Sequence, residues 1–155
     1  MQPYPHTYTA SASGAPSGSV AVTSPRLRAI ATAPPAEFDG PGDAWSPETL
    51  FCASIADCFI LTFRAIAKAS GIEWSDLTCR VEGFLEKADG ASRFTRYTSH
   101  ATLTVSPASD VAKARALLEK AERLCLVANS LRGTRALVAE VLTAGADGRS
   151  GPFAE

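Results

Sequence analysis

Between Thr49 and Phe63 the chain carries one charge, Asp57, in a run that is otherwise apolar or small. A helix start stands just before it. Ser46 can cap free amides, Pro47 suits a first helical turn, and Glu48 favours the positive end of the dipole. The helix is predicted to run to Ala69 or Ser70 and to stop at Gly71. With so little polar surface it must be covered by a sheet, a second helix or a second subunit. Its apolar stretch Leu50–Phe63 is too short to cross about 30 Å of hydrocarbon, so it reads as a core helix and not a membrane span.

The other bulk features narrow the class further. A chain of 155 residues has the size of one domain, 1–155, with 1–5 and 145–155 expected to be flexible. A net charge of -1, with no cluster of Lys or Arg, lacks the basic patch that binds a phosphate backbone, so nucleic acid is not an expected partner. Residues 1–24 have neither a basic start nor an apolar block, which reads as a cytoplasmic protein without a secretory signal. Four cysteines without CxxC spacing, and two histidines, give no metal-site pattern, and no cofactor is expected.

The elements around the helix follow from periodicity and turn residues. Thr7–Ser13 and Val20–Thr23 flank Gly14–Gly18 and read as a hairpin. Arg26–Thr32 reads as a further strand, ahead of a Pro/Gly-rich loop over 33–43. Leu77–Phe84 and Phe94–Val105 alternate with period two around a Gly90 turn and read as antiparallel strands. From Asp110 to Cys125 the residues Val111, Ala114, Leu117, Leu118, Ala121, Leu124 and Cys125 share one helical face, and charged residues including Glu122 occupy the other. Arg135–Thr143 reads as a closing strand after a turn at Gly133.

Taken one at a time, each cysteine reads as packing. Cys52 and Cys58 lie on the same helix roughly 120° apart, so they do not face each other. Cys58 is far beyond the first turn of its helix, and burial alone raises a thiol pKa. Cys125 ends an apolar stripe, Cys79 sits in a strand pattern, and Glu48 is fully explained as a first-turn acid. Asp57 needs a partner or water, and Arg28, Arg64 and Arg132 are equally available to it.

The joint pattern says more. Trp45-Ser46-Pro47-Glu48-Thr49-Leu50-Phe51, then Asp57-Cys58-Phe59, then Leu124-Cys125-Leu126-Val127-Ala128-Asn129-Ser130-Leu131 together resemble the OsmC and organic-hydroperoxide-resistance family. The loop Glu37-Phe38-Asp39-Gly40-Pro41-Gly42 and the strand at Ala136–Val141 keep the same order. The resemblance implies an α+β fold of two long helices against bent antiparallel sheets, intertwined as a homodimer. It implies Cys58 as the thiolate that attacks the O–O bond of an organic hydroperoxide and Cys125 as the thiol that resolves the sulfenic acid, with an external dithiol as reductant.

Two positions depart from the family pattern. The hairpin segment Gly14–Val22 has no arginine to pair with Glu48, and Leu126 stands where many relatives carry proline. An ordinary thiol of pKa about 8.5 is only roughly 3% ionised at neutral pH, so a cation is expected near Cys58, with Arg28, held by Glu48, ahead of Arg26. The alternative readings are a catalytically weak relative that binds an apolar ligand or senses oxidants, and, from another class, a hotdog-like thioester-binding protein.

Overall fold

The computed structural model describes residues 2–144 and is α+β, with three α-helices and two three-stranded sheets. The segment 145–155, expected to be flexible, lies outside the described residues. Residues 2–5 are exposed and irregular. The chain falls into two compact units, Met1–Phe51 and Cys52–Glu155.

In the first unit β1 (Ser11–Ser13), β2 (Val20–Thr23) and β3 (Ile30–Thr32) form an antiparallel sheet in that order. The expected hairpin is present, with its second strand as expected and its first shortened to Ser11–Ser13. The strand expected from Arg26 begins only at Ile30, because Pro25 and Arg26 form a tight turn. Leu27 N donates to Ser24 O at 3.1 Å, and Arg26 takes a φ of 66°. Proline at the second position and a positive φ at the third define that kind of reversal. The helix start is a reciprocal cap: Thr49 N donates to Ser46 Oγ at 3.1 Å and Ser46 N to Thr49 Oγ1 at 2.8 Å. A threonine hydroxyl thus does what an acid does in the usual capping box.

Helix α1 (Pro47–Ser70) continues into the second unit, followed by β4 (Trp74–Ala88), β5 (Ala91–Val105), α2 (Val111–Leu124), α3 (Leu126–Asn129) and β6 (Thr134–Thr143). Strands β4 and β5 pair antiparallel and are longer than their alternation predicts. They are joined at Asp89 and Gly90, whose φ values of 53° and 79° match the tightest hairpin turn, in which both central residues are left-handed. Bulges at Trp74/Asp76 and Phe84/Leu85 interrupt the register, and such positions bend a strand. The antiparallel pairing expected of the sheets holds for β4 with β5, whereas β6 adds to β5 in parallel. A chain that crosses back over a sheet through a helix returns in its original direction, and α2 is that crossover.

One face of this sheet is the core. Leu77, Ala101, Leu103 and Val105 pack with Ala114, Leu118 and Ala121 of α2 and with Phe59, Phe63 and Ala67 of α1. Ile55, Phe59, Phe63 and Ala67 recur every four residues, so α1 buries a single stripe. Taken whole, the 24 residues of α1 are long and apolar enough to cross a membrane, although the stretch Leu50–Phe63 by itself is not. The buried stripe is what identifies it as a core helix. Its other faces are only partly covered, and Leu61 is 51% exposed. On α2, Val111 and Leu124, expected on the buried stripe, are exposed.

Phe63 has no exposed surface and stacks edge-on against Trp74 at 5.4 Å. Phe63→Ala is expected to cost about 3–5 kcal/mol. Exposed Lys68→Ala is expected to stay within about 0.5 kcal/mol. Denaturant unfolding of both variants checks this.

Candidate active site

Cys58 lies beside the buried stripe of α1 and is half-buried; one turn on, Thr62 Oγ1 lies 4.0 Å from its Sγ. Cys125 is buried, and its Sγ reaches Ile55 O at 4.0 Å. The residue expected to end α2 is in fact outside it. Cys125 is extended, with φ -61° and ψ 112°, and a second short helix, α3, begins directly after it. The break is held by two backbone bonds: Cys125 N donates to Glu122 O at 3.4 Å, and Asn129 N donates to Cys125 O at 2.9 Å.

A helix start leaves its first amides without acceptors. No side chain caps α3, and its amides turn to sulfur. Burial by itself pushes the Cys58 thiol up, but hydrogen bonds from the Val127 amide, the Cys125 thiol, the Thr62 hydroxyl and the Leu126 amide outweigh it and hold the thiol below its ordinary value. Cys125 moves the other way. Burial first, and then the bond it donates to Cys58 and the repulsion of that neighbouring sulfur, push it up to about 11, against the lowering effect of the Ala128 and Val127 amides. The two thiols are therefore neighbours, one held below the ordinary thiol range and the other above it.

Among the described residues the other two cysteines make no bond to Cys58. Cys52 packs on Gly83, where a Cβ would stand 3.0 Å from its Sγ and 2.9 Å from the Phe94 ring. Burial raises its pKa in spite of a bond from the Gly83 backbone. Cys79 is pushed up to about 12 by burial and by the neighbouring Cys125. Both remain protonated at neutral pH.

Glu48 belongs to the first unit. Its Oε2 is buried and has no hydrogen-bond partner among the described residues. It borders an apolar groove of about 500 Å³ lined by Val20, Val22, Pro34, Phe38 and Pro47. Arg28 and Arg26 are exposed, and among the described residues neither forms an ion pair with Glu48. The pairing expected from sequence is not seen among the described residues, where Arg26 and Arg28 are both exposed. Asp57 is also exposed, and water can serve it.

Sequence reasoning missed Thr62, the amides of α3, and a charged pair beside Cys125. Arg135 Nε lies 3.3 Å from Glu122 Oε1, and both side chains are largely covered. Helical periodicity places Glu122 on the solvated face of α2. The signal for the amides was present in Leu126: proline has no N–H to give, whereas leucine does.

The OsmC-like protein family matches residues 40–138. A Bacillus subtilis protein described as uncharacterized, YmaD, is 29% identical over 102 residues, 64% of this chain and 68% of that protein. The structure of an organic hydroperoxide resistance protein OsmC from Legionella pneumophila is 30% identical and superposes with a TM-score of 0.69, covering 88% of this chain and 97% of that one. An OsmC-like protein of unknown function from Vibrio cholerae is 17% identical with a TM-score of 0.79, covering 88% of this chain and 99% of that one, and shares the fold.

Leu126→Pro removes one amide without disturbing the backbone, since proline is favoured at the first helical position and an extended residue precedes it. The Cys58 pKa is expected to rise, and alkylation of Cys58 at neutral pH to slow about tenfold, as fits one lost charge-assisted bond. The pH dependence of alkylation, read at each cysteine by mass spectrometry, checks it.

Proposed function

This chain belongs to the OsmC-like protein family, and we propose that it is a thiol-dependent peroxidase that reduces organic hydroperoxides through Cys58 and Cys125. The observation that carries the reading is the contact between the two thiols with opposite pKa displacements. A peroxide needs an ionised sulfur, and the resulting sulfenic acid needs a second cysteine sulfur close by to displace its hydroxyl.

In the first step the Cys58 thiolate attacks the distal oxygen of the hydroperoxide. The O–O bond breaks, Cys58 becomes a sulfenic acid, and the departing alkoxide takes a proton to leave as an alcohol. In the second, the Cys125 sulfur attacks the sulfenic sulfur, and its proton leaves with the hydroxyl as water. An external dithiol then exchanges with the Cys58–Cys125 disulfide, is itself oxidised, and returns both thiols. The amides of α3 stabilise the charge on Cys58 at the start of this cycle.

The substrate's organic group requires apolar surface. The cavity beside Cys125, bounded by Ile55, Phe59, Tyr97 and Ser99, measures about 10 Å³ and has room for about one water. A second copy of the chain, covering the exposed faces of α1, supplies the rest in an intertwined homodimer. Glu48 and Arg28 are assigned supporting roles, with Arg28 filling the open carboxylate position once the dimer has formed. The setting is cytoplasmic defence against oxidative stress. A second reading, a catalytically weak relative that binds an apolar ligand or senses oxidants through the same disulfide, is favoured by the unpartnered Glu48 oxygen.

Cys58→Ser is expected to abolish hydroperoxide consumption. Cys125→Ser permits one turnover and then accumulates sulfenic or sulfinic acid on Cys58, while Cys52→Ser and Cys79→Ser turn over nearly as wild type. Stopped assays with alkyl hydroperoxide and a dithiol test the set, and consumption that survives in Cys58→Ser would sink the proposal. Sedimentation at micromolar concentration is expected to find a dimer, and a stable active monomer would contradict that part.

A further inference from the structure

The turn that carries Cys125 holds no glycine or proline, so its shape is imposed from outside. Two residues make the backbone bonds to Cys125: Glu122 accepts from its N–H, and Asn129 donates to its carbonyl. The side chains of the same two residues converge on Arg135 at the start of β6. Arg135 Nε pairs with Glu122 Oε1 at 3.3 Å, and Arg135 Nη1 donates to Asn129 Oδ1 at 2.8 Å. Asn129 Nδ2 then donates to Arg123 O at 3.0 Å, tying α3 back to the end of α2. Arg135 also borders the cavity beside Cys125.

A guanidinium is suited to this task because it presents several donors in one rigid plane, so two acceptors on different elements are held at fixed separation. Lysine offers the same charge from a single flexible point. The pair is also shielded: the Arg135 and Glu122 side chains are 29% and 19% exposed. Partial burial keeps such a bond from being screened away as a surface pair would be.

We infer that Arg135 is a positioning residue for the reaction, clamping Glu122 and Asn129 so that the break at Cys125 points the first amides of α3 at Cys58. Its bonds among the described residues are to Glu122 and Asn129, and it contributes through geometry. The Leu126 and Val127 amides face Cys58 only while α3 starts directly after Cys125 at its present angle to α2. Without the clamp the last turn of α2 and α3 would be free to swing, and the donors would be lost together.

The inference rests on the proposed role of Cys58, and its test does not need peroxide chemistry. The pH profile of alkylation at Cys58 is measured in the full chain for Arg135→Met, Arg135→Lys and Asn129→Ala, with Cys52 followed in the same digests. All three variants are expected to move the Cys58 midpoint upward and to slow its alkylation at neutral pH by about three- to tenfold, as fits weakened charge-assisted bonds, leaving Cys52 unmoved. Asn129→Ala changes no charge and replaces an exposed side chain, so it reports even if Arg135→Met folds poorly. The inference is overturned if Arg135→Lys behaves as wild type, which would make charge alone sufficient. It is equally overturned if Asn129→Ala leaves the Cys58 midpoint in place, or if Cys52 shifts in step with Cys58. A failure of hydroperoxide turnover with the alkylation pattern intact would count against the peroxidase reading and not against the clamp.

Discussion

Peptide N–H groups at the start of a helix must find acceptors, and in this chain they find sulfur. That constraint links features that are otherwise unrelated. It requires the chain to leave α2 one residue early, to put Cys125 in an extended conformation, and to restart at Leu126. It then gives Cys58, far from the start of its own helix, the hydrogen bonds that the dipole of α1 cannot supply. A hydrogen bond to a charged group contributes roughly 1.5–3 kcal/mol, and one pKa unit corresponds to about 1.4 kcal/mol, so a few amides can match what a single nearby cation would do.

The amides are useful only because α1 is fixed. Ile55, Phe59, Phe63 and Ala67 bury one stripe of the helix, and the Cys125 sulfur lies against the Ile55 carbonyl. Packing in the core thus sets the distance between the thiols, and polar contacts set which of them ionises. On the proposed reading the remaining apolar surface of α1 is what a second copy covers, and the open oxygen of Glu48 is what its assembly completes.

Much of this was legible in the sequence, for physical reasons that can be traced. The run from Thr49 to Phe63, with Asp57 as its single charge, had to be a helix with a buried face, and Ser46, Pro47 and Gly71 marked its ends. Cys58 and Cys125 came from a resemblance, since each alone looks like ordinary packing. The break at Cys125 was not legible, because no glycine or proline marks it and the clamp that enforces it comes from Arg135, ten residues on in another element. Glu122 was read as solvated for the same reason: helical periodicity assigns a face but does not see a strand laid across it. The need for an arginine near Cys58 was inferred from a missing residue, whereas the structure supplies backbone donors that leave no side-chain signature except leucine in place of proline at 126. The parallel direction of β6 likewise depends on the route of α2 and not on any pattern within the strand.

The most direct test of the thiol-pair account is the mass of the protein before and after one equivalent of cumene hydroperoxide, with no reductant present. The account predicts loss of two hydrogen atoms and a single crosslinked peptide joining Cys58 to Cys125. An unchanged mass, or oxidation confined to Cys52 or Cys79, would contradict it.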